Sequence, residues 1–231
     1  MAHTVTTKYK TMRTKTIIAA AALLAAGALT SMAQSNVYSV NVVGYVNVNL
    51  SSGFNLIANQ LDYDGTGLNN TVQNVFGTNL VGTVYAFSGG AFASPAASYS
   101  SKTGWTGGTN AANAALKPGG AVFAAVSAPK TITLVGTVDQ GALSTPYIAG
   151  FNMIASQVPQ AGLMQTDLGY APSGNVTVYR YNAGTQTYAS PASTWSSKTG
   201  WSPSQPSLNV GEGVFLATSV GGTWTRNFTV Q

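Results

Sequence analysis

The chain of 231 residues contains no cysteine and a single histidine, His3, and only 6% of its residues are charged. Without cysteine there is no disulfide framework, so any small folded unit must be held by its apolar core alone. No lipobox can form either. With its one histidine at position 3, the body of the chain cannot assemble a Ser-His-Asp or Cys-His nucleophilic site, or the usual zinc ligand sets. Only five carboxylates are present: Asp62, Asp64, Asp139, Asp167 and Glu212. A glycosidase needs two of them at a defined separation, and this acid/base inventory is too thin to suggest an enzyme. Lys102-Thr103 and Lys198-Thr199 are preceded by Ser101 and Ser197 rather than glycine, so the phosphate-loop pattern fails. No cofactor is expected.

Long apolar runs are also scarce. The one that stands out is residues 17–29 (IIAAAALLAAGAL), behind Arg13 and Lys15 and ahead of Ser31-Met32-Ala33. Small residues before a cut after Ala33 fit a secretory signal peptide, and the run falls short of the about 20 apolar residues that span a bilayer. We therefore expect residues 1–33 to be a signal peptide, with Met12 as the true start, and no membrane span after cleavage. Residues 34–231 then carry six bases against five carboxylates, a net charge of +1. There is no basic face, so nucleic-acid binding is not expected.

What the chain does have is an internal duplication. Residues 93–105 (ASPAASYSSKTGW) and 189–201 (ASPASTWSSKTGW) agree at ten of thirteen positions, 96 residues apart. GFNLIANQ (53–60) matches GFNMIASQ (150–157), and LKPGGAVF (116–123) matches LNVGEGVF (208–215). TITLVGTV (131–138) matches TWTRNFTV (223–230). Agreement over this length signals a duplicated domain.

The dominant period is two, which marks half-buried strands. Residues 40–50 alternate apolar with Ser or Asn, with Gly44 at an expected bulge. Further strands are expected over 53–61, 81–88, 120–127 and 131–138. Leu68, Val72, Val75 and Phe76 have helical spacing, predicting a short helix over 68–76 and a shorter one over 163–168. The Ala-rich 111–116 is read as loop because its counterpart contains Pro203 and Pro206, which do not sit within a helix. The expected fold is all-β: two tandem small β-sandwich or barrel-like domains, 34–138 with an extra N-terminal strand and 150–231, joined by a connector over 139–149. Either the domains share an edge strand, or the N-terminal strand completes the first.

The succession Gly-Phe-Asn-Leu-Ile-Ala, Val-Tyr-x-Phe/Tyr and Leu-x-x-Gly-x-x-Val-Phe resembles β repeats of exported bacterial and archaeal surface proteins. The chain is also similar to exported proteins of unassigned role with an N-terminal VVGYVN segment. Phe54 and Phe151 stand where those repeats often have Trp. The resemblance implies surface or extracellular placement and carries no catalytic residue.

Candidate binding residues are few. Asp62-Tyr63-Asp64-Gly65 could offer Asp62 and Asp64 to calcium, but a full loop needs more oxygen ligands, and a turn explains Asp and Gly equally well. The aromatic residues Tyr85, Phe87, Tyr99 and Trp105 recur as Tyr179, Tyr181, Trp195 and Trp201. They either fill each domain's core, with Trp201 the central ring of the second, or stack on sugars, for which Tyr99 and Trp195 are the expected exposed pair. Two roles follow: a non-catalytic surface or matrix protein with a structural or adhesive function, or a glycan-binding module for polysaccharide. For the first, Val40, Val42, Val46 and Val48 form a strand edge without Lys or Pro, open to another copy or another surface protein. Intact-mass or N-terminal analysis of secreted protein should find a chain starting at Gln34. A product retaining residues 1–33 would overturn the signal-peptide assignment.

Overall fold

The computed structural model describes residues 42–107 and 109–230. The expected signal peptide and Val40 lie outside the described residues. In the first half the order is β1 (Val43–Leu50), β2 (Gly53–Ala58), α1 (Val72–Phe76), β3 (Gly82–Ser88), β4 (Ala91–Phe92), β5 (Ala97–Ser100), β6 (Gly104–Thr106), α2 (Thr109–Ala112), β7 (Ala121–Val126) and β8 (Lys130–Thr137). The second half has β9 (Gly141–Tyr147), β10 (Gly150–Ile154), β11 (Gly162–Leu163), β12 (Val176–Asn182), β13 (Thr187–Tyr188), β14 (Ser193–Ser196), β15 (Gly200–Ser202), β16 (Ser207–Leu208), β17 (Val214–Thr218) and β18 (Gly222–Phe228). The large sheets run β2-β7-β3-β5-β6 and β10-β17-β12-β14-β15, with β4 on β3 and β13 on β12. Each is joined by a two-stranded antiparallel ribbon, β1 with β8 or β9 with β18. The architecture is a duplicated β-sandwich-like fold.

Several local expectations are corrected. Gly141–Tyr147, expected to lie in a connector, is a strand. With Val48 opposite Ile132 and Thr145 opposite Trp224, β9 is the counterpart of β1. The halves therefore share no edge strand. Gly44 is no bulge, since β1 and β8 pair in continuous register through Gly44 and Gly136. A Cβ there would lie 2.8 Å from a Val138 methyl group, so close packing requires the glycine. The helix over 68–76 shrinks to α1: Thr71 caps it by accepting from the Asn74 N–H, Gly77 ends it at φ +51°, and Leu68 is 83% exposed in the preceding loop. Leu163 ends β11, and residues 164–168 form a turn rather than a helix. It is closed by Asp167 Oδ2 accepting from Leu163 N and stopped by Gly169 at φ +76°. In the Ala-rich region read as loop, α2 makes one helical turn, and Ala111 and Ala112 are buried.

Alternation along the strands divides each large sheet between two cores. On β3, Val84 and Ala86 face the first half's own core, while Tyr85 and Phe87 face away. On β7, Val122, Ala124 and Val126 face inward and Ala121 and Phe123 face away. The second half repeats this with Val178 against Tyr179 and Tyr181, and with Val214 and Leu216 against Phe215. The outward sets meet each other. Phe87 lies 5.2 Å from Phe215 and its counterpart Tyr181 lies 5.0 Å from Phe123, both edge to face. The outward strand aromatics Tyr85, Phe87, Tyr179 and Tyr181 therefore lie outside the core of either half. They form a third core between the halves.

The contact is reciprocal in the backbone as well. Ala58 N donates to Gly211 O, and its counterpart Ala155 N donates to Gly119 O. Gly119 and Gly211, at φ +90° and +78°, leave no room for a Cβ against Thr145 and Val48 of the opposite half. Such mutual contact is the pattern of an isologous interface, here within one chain.

The central ring of the second half is Trp224, fully buried, with Nε1 donating to Leu168 O and Tyr170 packed 5.3 Å away. Trp201, expected in that place, is only half-buried, and its Nε1 donates to Gln165 Oε1. Trp224→Ala should therefore cost about 3–5 kcal/mol, and Trp201→Ala clearly less. Because the halves share a core, calorimetry should record one transition. Equal losses of Tm in the two variants would overturn this assignment.

Candidate functional site

A groove of about 550 Å³ lies where the two halves meet, between β1, β2, β12 and the loop leading into β17. Strand pairing builds it. The bridge between Ile57 and Glu212 ties the β17 loop to β2, and Gly213 N donates to Leu56 O. This holds Glu212 beside Arg180 on β12. Arg180 Nε donates to Glu212 Oε1 at 2.6 Å and Nη2 to Oε2 at 2.9 Å, the fork geometry suited to carboxylate. It is the only ion pair among the described residues. Asn209 completes the carboxylate's partners through its backbone N and Nδ2. The hydrogen bond that Arg180 donates to Glu212 raises the Arg180 pKa above its ordinary value against the opposing effect of burial.

Three carboxamides on the rims have their oxygens already engaged. Asn47 Oδ1 accepts from Thr133 Oγ1 and Asn49 Oδ1 from Thr131 Oγ1, both at 2.7 Å across the ribbon. Asn182 Oδ1 accepts from Gly184 N and Thr185 N in the β12–β13 turn. In that turn Gln186, at φ +56°, reaches across to the first half. Its Oε1 accepts from Phe54 N, and its Nε2 donates to Phe54 O and Ser52 O. One side chain thereby satisfies the outer edge of β2 as a neighbouring strand would.

Tyr181 lines both this groove and a smaller aromatic cleft of about 360 Å³, with Phe54, Tyr85 and Tyr188 among its other walls. Burial, as the main cause, raises the hydroxyl pKa of Tyr181 and Tyr188. Both tyrosines therefore remain neutral hydrogen-bonding groups at physiological pH.

Of the residues singled out in sequence, Val48, Tyr181 and Glu212 line the groove, and the other described ones lie elsewhere. Tyr99 on β5 and Trp195 on β14 are half-buried and sit opposite Trp105 and Trp201 in the strand register. Trp195 packs on the second half's core, so these rings are not the freely exposed pair that was expected. Val46 and Val48 are buried inside the first half and Val42 packs against its core. The apolar residues β1 exposes are Val43 and Tyr45, at 71% and 73%.

In the acidic turn, Asp62 accepts from Asn70 Nδ2 and Gly67 N. Asp64 accepts from Asn69 Nδ2 and from Thr66 N and Oγ1, and these bonds, Asn69 first, lower its pKa. All four carboxylate oxygens answer donors of their own loop, so the turn needs no calcium to account for its shape. Among the described residues no group of three or more His, Asp or Glu could hold a metal.

Sequence reasoning missed the groove, although one signal pointed to it. Arg180 and Glu212 replace Ala86 and Gly120 of the first half, so both charges of the pair arose at diverged positions of the repeat. No protein-family model matches the chain, and no curated protein or solved structure matches it significantly.

Asp139, between the halves, has a pKa raised chiefly by burial and secondarily by Asp62. An acid with a raised folded-state pKa binds its proton more tightly when folded, so stability falls as pH rises through that value. Asp139→Asn should raise Tm at pH 7, with the gain fading below about pH 4. A gain that is unchanged or larger at pH 3 would contradict the assignment.

Proposed function

We propose that the protein is an exported, non-catalytic surface or matrix protein with a structural and adhesive role. The observation that carries this reading is the union of the duplicated halves through a shared aromatic core and reciprocal backbone bonds. Such a union makes a stiff unit that presents fixed surfaces. The engagement of Asp62, Asp64 and Asp167 by donors of their own turns supports a structural rather than a reactive use of these carboxylates. None of the described helices is long and apolar enough to cross a membrane.

The adhesive contact is assigned to β1 and to a second copy of the chain. Among the described residues β1 has a strand neighbour on one side only, and its outer face pairs exposed Tyr45 with exposed Val135 across the ribbon. A nearly neutral surface offers little repulsion to such an approach. Removing β1 by truncation would be a poor test, because Val46, Val48 and Leu50 belong to the core. Sedimentation of the intact protein should instead reveal concentration-dependent association that Tyr45→Lys weakens. A strict monomer at high concentration would remove self-association from the reading.

A further inference from the structure

We infer that the groove between β1, β12 and the β17 loop is a binding site for a neutral glycan chain. Three independent features point there. The first is an internal control supplied by the duplication. The counterpart interface, at Ile154 and Gly120, closes by the same backbone bridge without any ion pair. Structural need therefore does not account for Arg180 and Glu212.

The second is the polarity of the groove. Of the five N–H donors of a guanidinium, Glu212 takes two. Asn47, Asn49 and Asn182 have their oxygens held within the protein, which turns their amide groups toward use as donors. The groove is thus rich in donors, yet its net charge is zero because Arg180 is neutralised by Glu212. A phosphate or other anion would forgo the attraction of an unpaired cation. Hydroxyl, ring and glycosidic oxygens suit donors without net charge.

The third is the aromatic wall at Tyr181, continuous with the adjoining cleft. An aromatic face beside fixed polar groups is the usual composition of a small-molecule site, and about 550 Å³ falls within the range of roughly 300–1,000 Å³ such sites occupy. An extended peptide fits the β2 side less well, since Gln186, Gly211 and Gly213 already satisfy its outer edge.

The site adds a ligand to the surface role proposed above and stands or falls without export or self-association, because it is tested on purified protein. The protein is applied to immobilised neutral polysaccharides (glucans, mannan, xylan, galactan), to alginate and pectin, and to a panel of extended peptides. We expect retention on at least one neutral glycan. Binding should fall about tenfold or more in Arg180→Ala with Glu212→Gly. That double variant installs the residues with which the first half already folds, and an unchanged melting curve verifies it. Asn49→Ala should weaken binding in the same direction, whereas Tyr99→Ala and Trp195→Ala should leave it unchanged. The inference is overturned by absence of glycan binding, by retention on alginate, pectin or peptide alone, or by neutral-glycan binding that the double variant leaves intact.

Discussion

Everything in this fold depends on each large sheet having two buried faces. One face of a half-length sandwich is covered by its own ribbon and connecting loops. The other carries Phe123 with Tyr85 and Phe87, or Phe215 with Tyr179 and Tyr181. Left open, either aromatic face would be an apolar patch of the kind that drives association. Apposition of the two sheets buries both at once, and edge-to-face ring pairs contribute about 0.5–1.5 kcal/mol each beyond area burial. The absence of disulfides becomes intelligible on this basis. The stabilising core is that of the joined pair, and a single half of under 100 residues is not its natural unit.

The reciprocal contacts have the form of a homodimer interface whose two subunits have become one chain. At its centre the match is close, with Gly119 and Gly211 both making room for the opposite ribbon. Toward the periphery the halves diverge. The β12–β13 turn is longer than its counterpart between β3 and β4 and carries Gln186 to Phe54. The counterpart of Phe54, Phe151, has no such side-chain cap among the described contacts, and half of it is exposed. A true homodimer must make every change twice. A fused pair can alter one of two equivalent places while the other preserves the packing, and the ion pair at Arg180 and Glu212 is such a change.

Much of the fold was legible because period two is a direct consequence of strand geometry. The duplicated motifs placed most main strands to within a residue or three. β9 was missed because Gly141–Tyr147 (GALSTPY) pairs a weak alternation with Pro146, and only its register with β18 reveals the kinship to β1. Trp224 was overlooked because it replaces Ile132 in the repeat. Attention to shared aromatics favours Trp201, which repetition preserves on a half-buried strand. The outward aromatics were visible on one strand face, but two alternatives, domain core or exposed platform, did not include a second domain as the covering surface. The groove was less legible still. Its residues come from strands more than 100 positions apart, and each looks unremarkable until strand pairing brings them together.

The scarcity of charge bears on function through the same geometry. A surface with few charges cannot select partners by long-range steering, so recognition has to be local, through hydrogen bonds and shape. Asn47 and Asn49 illustrate how such a surface is made specific. Each is fixed by a threonine directly across the ribbon, so its rotamer is set before any ligand arrives, and less conformational entropy is lost on binding. Arg180 is fixed in the same way by Glu212, at the cost of its charge. The groove therefore gains rigidity from the arrangement that makes it neutral.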